Sequence, residues 1–356
     1  MQLPLIYILE PGDKPVLSVD GGFEGPGLNL SHWPGNSTPD ELKHELSTGI
    51  SLNFVRLPEA CQAEWTRGCT ALVNNHFDTD GVLALFVLLK PEVALQHADQ
   101  LLEIAAAGDF FHLPSEHAFC FDMLITSYGD RERSPIAEQL VGLKSMERYR
   151  VVTEHLLRQL PTWLENGIES EKALFTPALE RLRRDLQGLE RAENVPLIHF
   201  DLSVLHAAPG TIDEPGRHAM FHTAGTDRIL WMAKEADGSG VRARFLVGTR
   251  SWFDIPGLIV QPRPDLKQLA ARLNALEGST PEQASAWRYQ PTDTASPELW
   301  FGAANLPLFC SYPGSSLHNS QLTAHVIRAE TCEAVRQVWT FENEHETTDT
   351  DDIYAV

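Results

Sequence analysis

His76, Asp78 and Asp80 stand at alternate positions in the stretch Asn74-Asn75-His76-Phe77-Asp78-Thr79-Asp80-Gly81. In an extended segment, residues at i, i+2 and i+4 project to the same side. One imidazole and two carboxylates can then converge on a single point, and that mixture suits Mn²⁺, Zn²⁺ or Fe²⁺ better than calcium. The apolar run Thr70 to Val73 before them predicts a strand. Gly81 and the run Val82 to Leu89 after them predict a buried helix. Strand, ligand-rich loop and helix is the layout in which α/β proteins hold ligands beyond the carboxyl ends of their strands.

Two other readings compete for this loop. An EF-hand also ends an acidic triplet in glycine, but its first position would be His76 and its twelfth Val87, where a bidentate Glu is needed. The alternative of a plain polar loop makes Asp80 a helix cap, and leaves His76 and Asp78 without a role. Further ligand-type residues follow other predicted elements. Pro15 to Asp20 reads as a strand ending in Asp20, and Leu28 to His32 as a strand ending in His32. The run Ile104 to Asp109 closes a helix predicted over Pro91 to Ala107. Leu3 to Leu9 predicts one more strand, and Thr38-Pro39-Asp40-Glu41 a helix start. Ile50 to Leu57 fits either a strand or a helix.

Taken together, these segments resemble the DHH phosphoesterase superfamily. HFDTDG is similar to motif I, with His76 at the place of the first Asp. Val16-Leu17-Ser18-Val19-Asp20 resembles motif II, and Leu30-Ser31-His32-Trp33-Pro34-Gly35-Asn36 the strand and turn of the Asp-His-His motif. Ser47-Thr48 looks like the pair that opens the following helix, and Ile104 to Asp109 the segment carrying the fourth Asp. The chain order is II, III, I, IV, a circular rearrangement that leaves the site intact if strand placement is kept. The resemblance implies a two-metal centre, Mn²⁺ first among the candidates. His76, Asp78 and Asp20 would hold one ion, and Asp80, His32 and Asp109 the other, with Asp20 bridging. It implies hydrolysis of a phosphoric ester by metal-activated water. Ser31 and Trp33 stand where the family has Asp and His, which sets the metal ligands apart from the usual chemistry. Trp33 would then offer a stacking face, and Asn36 a polar contact, to substrate. The LSHWPGN and NNHFDTDG stretches also look like those of an uncharacterised bacterial family.

The remaining sequence narrows the class. Lys and Arg number 28 against 49 acids, a net charge of −21, which argues against an extended nucleic-acid surface. A small phosphorylated substrate is compatible with it. No apolar run approaches the ~18–20 residues of a membrane span. Met1 to Ile8 has neither a basic stretch nor a small-residue cleavage site, so the expected location is the cytoplasm. Cys61, Cys69, Cys120, Cys310 and Cys332 form no CxxC pair and read as idle thiols. Walker A, dinucleotide-binding and G-x-S-x-G motifs are absent.

The expected fold is α/β in four parts. Residues 1–135 form a parallel-sheet metal domain and 136–192 a helical connector, from long helices over Ile136 to Leu164 and Ser170 to Leu189. Residues 193–341 form a smaller β-rich domain, and 342–356 an acidic tail with six acids from Glu342 to Asp352. In the β-rich part, strands are expected at Leu197 to Leu205, Ile229 to Ala233, Arg242 to Gly248 and Leu258 to Gln261, and a helix at Asp265 to Glu277. His218 and His222 are expected on one face of a strand. The DHH resemblance implies that this domain supplies substrate-binding arginines, with Arg228 and Arg250 the candidates, and a homodimer is left open. Besides a phosphoesterase, the residues admit a non-catalytic ligand-binding or regulatory protein, or a metal-dependent amide or ester hydrolase.

Overall fold

The computed structural model describes residues 3–10, 12–208, 211, 214–235, 237–238, 240–259, 261–304 and 317–339. The chain is mixed α/β and divides into two units. The first is Met1–Glu180 with Phe253–Leu258, and the second is Arg181–Trp252 with Ile259–Val356.

Four strands build the first unit's sheet: β1 (Leu5–Tyr7), β2 (Val16–Val19), β3 (Gly27–Leu30) and β4 (Leu72–Asn74), in spatial order β1-β4-β2-β3. All the pairings are parallel. Parallel strands are covered on both faces and read as continuous apolar runs; β2 is accordingly Val-Leu-Ser-Val with all four residues buried. Leu17 pairs with both Leu28 and Leu72, Val19 with Leu30, and Ser18 with Val73. This register brings the carboxyl ends of β2, β3 and β4 out nearly level, so the residues that follow emerge on one edge.

The helices are α1 (Ser47–Val55), α2 (Glu59–Trp65), α3 (Thr79–Leu89), α4 (Pro91–Gln96), α5 (Ala98–Phe110), α6 (Glu116–Gly129), α7 (Ala137–Leu140), α8 (Ser145–Asn166) and α9 (Lys172–Leu189), the last running across the boundary between the units. On one sheet face, Leu17, Val19, Leu30 and Leu72 pack against Ile50 and Phe54 of α1 and Ala84, Leu85 and Leu88 of α3. On the other face, Val16, Ala71 and Val73 are covered by Ile8 and Phe23. Phe23 comes from the loop joining β2 to β3, which replaces the usual crossover helix. Helix α3 packs on α5 and α6, and α8 packs on β1, α3 and α6. The helices expected to form a separate connector thus belong largely to the first unit.

The second unit holds a mixed sheet in the order β5-β6-β7-β8-β10-β9: β5 (Glu193–Leu197), β6 (Leu202–His206), β7 (Arg228–Lys234), β8 (Val241–Val247), β9 (Ala286–Tyr289) and β10 (Glu298–Gly302). Among the described residues, only β6 and β7 of this sheet pair in parallel. Its helices are α10 (Arg217–Ala224), α11 (Leu266–Glu277) and α12 (Ala324–Val338). Leu230, Met232, Phe245 and Val247 form a core with Leu269 and Leu273 of α11 and Ile327 and Val335 of α12.

Several local expectations are corrected. The helix start at Thr38 to Glu41 yields only a 3-10 turn, Asp40–Leu42, and the helix begins at Ser47. Of the two readings left open for Ile50 to Leu57, the helix is the one found, ending at Val55. The helix expected from Pro91 breaks at His97, and the one expected from Ile136 breaks around Gly142, whose φ of +79° leaves the helical region. His218 and His222 lie on α10, between Gly216 and Gly225, and not on a strand. Leu258 and Ile259 form no strand. Helix α6 had no counterpart in the sequence reading. The acidic tail and Cys310 fall outside the described residues, and the other four cysteines are free thiols. Among the described residues, no helix is long and apolar enough to cross a membrane.

Candidate metal centre

Asp20 directly follows β2 and His32 lies two residues beyond β3. His76 and Asp78 occupy the turn between β4 and α3, Asp80 lies in the first turn of α3, and Asp109 lies in the last turn of α5. The flush strand ends and the packing of α5 on α3 bring these six side chains together. Their ligand atoms form two groups, Asp20, His76 and Asp78 in one, and Asp20, His32, Asp80 and Asp109 in the other, with atoms in each group within 4.8 Å of one another. Asp20 is common to both. Its Oδ1 is 3.4 Å from His32 Nε2 and its Oδ2 3.3 Å from His76 Nε2. His32 Nε2 is also 3.1 Å from Asp109 Oδ2 and 3.7 Å from Asp80 Oδ2, and His76 Nε2 is 2.6 Å from Asp78 Oδ2.

The local backbone explains why each group faces inward. Asp20 has φ +46°, in the left-handed region that Asp and Asn enter more readily than other side chains. Asp78 caps α3, its Oδ1 accepting the Gly81 N–H at 2.8 Å. Asp80 does not cap its own helix. It receives the Ser47 and Thr48 N–H groups of α1 at 2.7 and 2.9 Å, one on each oxygen. That cap on α1 accounts for the helix starting at Ser47. Ser47 Oγ donates to Asp20 Oδ1 at 2.9 Å. His32 Nδ1 donates to the Glu45 carbonyl at 2.6 Å, and His76 Nδ1 to Asn75 Oδ1 at 2.8 Å. Both imidazoles therefore present Nε2 to the centre, the tautomer fixed from behind as in metal-ligating histidines.

The charge balance is extreme. Burial favours the neutral form of every carboxyl here. Against that burial, His32 and His76 hold Asp20 well below the usual carboxylate range. Burial and the charge of Asp20 push Asp80 up to about 6 and raise Asp78, while burial and Asp80 raise Asp109 well above the ordinary carboxylate range. Burial lowers both histidines, but Asp109 and Asp20 around His32, and Asp78 and Asp20 around His76, raise them well above the ordinary imidazole value. Asp20 Oδ2 and His32 Nε2 are buried without a hydrogen bond of good geometry. Four carboxyls gathered with two imidazoles, His76 and Asp78 partly exposed and the other four buried, are the donor set of divalent cations, which would remove the mutual repulsion.

Other sequence candidates take different places. Trp33 is partly exposed, its ring 4.9 Å from that of His76. Asn36 is committed to its own turn: Nδ2 donates to the Trp33 carbonyl and Asp254 Oδ2, and Oδ1 accepts the Thr38 N–H. Ser31 Oγ accepts the N–H groups of Gly21 and Trp33, tying the two strand-end loops together. Arg228 belongs to the second unit, 1% exposed, and donates to the carbonyls of Phe200, Gln261 and Pro262, which ties it to that unit's internal packing. Arg250, in the same unit, is partly exposed and its N–H binds Asp227.

Two neighbours of the centre escaped sequence reading. Phe253 stacks on His32 from a distant part of the chain, and no local signal announces it. Asp122 lies behind the HFDTDG loop; a lone carboxylate inside the apolar run Ala118 to Ile125 was the available clue.

Residues 6–346 match the model of a family of unknown function, DUF6687, and the chain belongs to that family. A search of characterised proteins finds no match.

Proposed function

We propose, from a family without an assigned function and so from the site alone, that the chain is a metal-dependent hydrolase acting on a phosphoric ester of a small phosphorylated compound or short nucleotide. The observation that carries the proposal is the convergence of six ligand-type side chains from four separate segments into two groups that share Asp20. In this reading His76, Asp78 and Asp20 would hold one ion, and His32, Asp80, Asp109 and Asp20 the other, Mn²⁺ being the first candidate. When bound, two such ions would supply Lewis acidity toward a phosphoryl oxygen and would lower the pKa of water at the centre.

The chain's own groups have distinct tasks. The Glu45 carbonyl and Asn75 orient the imidazoles, and the Ser47 and Thr48 N–H groups hold Asp80 while leaving a lone pair on each oxygen. Trp33, beside His76, offers a face for a base or sugar ring. The proposed kinship with a rearranged DHH domain draws support from the sheet: the strands carrying the segments similar to motifs I, II and III lie side by side in that spatial order, β4-β2-β3. A second reading, a metal-holding ligand-binding protein without turnover, is favoured by Ser31, whose hydroxyl is occupied by two backbone N–H groups where the DHH pattern has a carboxylate.

Metal analysis of the purified protein tests the centre, with His76→Ala and Asp78→Ala as controls. Less than about one transition metal per chain, unchanged in the variants, would sink the proposal. A screen of phosphorylated substrates with Mn²⁺ then separates enzyme from binder. Product release abolished by Asp80→Ala marks the enzyme, and ligand binding without turnover marks the binder.

A further inference from the structure

Thr79 sits between two of the proposed ligands, Asp78 and Asp80, at the start of α3. Its hydroxyl donates to Asp122 Oδ1 on α6 at 2.5 Å, and both side chains are buried. Gly108, the residue before Asp109, closes the third side. A Cβ on Gly108 would lie 2.9 Å from Thr79 Cβ and 3.1 Å from Asp122 Oδ1. Thus α3, α5 and α6 meet at one contact, and the residues flanking it in the chain are Asp78, Asp80 and Asp109. Asp109 has its place relative to Asp80 only if these helices keep their spacing.

We propose that Asp122 is a positioning residue which, through Thr79 and against Gly108, sets the separation of Asp80 from Asp109 and so controls the second ion of the centre. This inference rests on the two-metal reading above. Through Thr79, Asp122 acts on the backbone turn that carries two of the proposed ligands, Asp78 and Asp80. Partners one layer behind metal ligands typically change metal affinity by about 10–100-fold when removed.

The test is a Mn²⁺ titration of the full chain, followed by metal analysis and electron paramagnetic resonance. Thr79→Val keeps the shape and removes the donor; Asp122→Ala removes the acceptor; Asp122→Asn keeps an oxygen that can accept from Thr79. The expected result is two ions with a magnetically coupled spectrum in the unsubstituted protein. In Thr79→Val and Asp122→Ala the second ion, at His32, Asp80 and Asp109, is expected to lose about 10–100-fold in affinity, leaving the spectrum of an isolated ion, with the other ion unchanged. Asp122→Asn is expected to restore the coupled spectrum. Wild-type affinity for both ions in Thr79→Val and Asp122→Ala overturns the inference while leaving the metal centre standing. Equal weakening of both ions also overturns it, since general loosening predicts that pattern. An unsubstituted protein that binds no metal overturns the metal reading itself, and this inference with it.

Discussion

The rings of His32 and Phe253 lie stacked, with centroids 3.7 Å apart and planes 12° from parallel. Phe253 opens the short segment Phe253–Leu258, which interrupts the second unit in sequence and belongs to the first in space. The segment is fixed there by the Asp254 N–H on the His32 carbonyl at 2.7 Å and by Lys43 on the Asp254 carboxylate at 3.2 Å. One face of an imidazole whose Nε2 looks toward three carboxylates is thus sealed by an apolar ring. Phe253→Ala is expected to cost roughly 3–5 kcal/mol of stability, the usual range for a buried Phe, and to weaken metal binding by letting water reach His32. Phe253→Leu should retain most of both. Denaturant melts and metal titrations on the two variants check this; unchanged metal affinity in the alanine variant refutes the shielding role.

Asp20 combines two unusual properties, a left-handed backbone and membership of both ligand groups. Asn tolerates that backbone region as well as Asp does. Asp20→Asn is therefore expected to leave the fold and its circular dichroism unchanged while removing the one charge the groups share. Metal content should fall for both ions, whereas His76→Ala should deplete only one. Retention of two ions in Asp20→Asn would show that Asp20 is not the bridge.

The sequence exposed the centre to the extent that its ligands sit at strand ends. Asp20, His32 and the HFDTDG loop each follow an apolar run, and periodicity finds such runs. What fixes those ligands was less visible. The cap that Asp80 places on α1 joins loops remote in sequence, and it moved the helix start from Thr38 to Ser47. Local cap chemistry at Ser37-Thr38-Pro39 misled because Thr38 Oγ1 accepts the N–H of Ser31, at 2.8 Å, and is thereby tied to the β3 end. In the second unit, the alternation of His218 and His222 suggested a strand, yet glycines on both sides and buried Ala219, Met220 and Phe221 make it a helix. Phe253 depends wholly on tertiary packing and left no trace in local sequence.

Asp122 also predicts a pH dependence. Burial, against the Thr79 hydrogen bond, pushes its pKa from an ordinary carboxylate value up to about 7. A raised acid pKa means that the folded state keeps a proton that the unfolded chain has already released. Stability due to this group is then greatest below the unfolded pKa near 4 and falls as pH rises toward 7, by up to about 4 kcal/mol. Asp122→Asn removes the ionisation. Chemical denaturation of metal-free protein between pH 4.5 and 8 should show the variant gaining on the parent as pH rises. A constant difference across that window would place the Asp122 pKa in the ordinary range.

Glycine inside a helix normally lowers stability by about 1 kcal/mol relative to alanine, and two helical glycines here predict opposite outcomes. At Gly188 in α9 an added Cβ meets nothing within 4 Å, so Gly188→Ala should stabilise by roughly 0.5–1 kcal/mol. At Gly81 in α3 the Cβ would lie 2.5 Å from Asn74 Nδ2, 2.9 Å from Asp20 Oδ2 and 3.1 Å from Asp78 Oδ1. These atoms belong to buried or capped groups that cannot swing clear without moving the ligands. Gly81→Ala is therefore expected to destabilise by about 1–3 kcal/mol, as overpacking does, and to reduce metal content. Thermal melts of the two variants side by side decide the matter: equal gains at both positions would mean that the close approach of α3 to Asp20 and Asp78 is not a constraint on the centre.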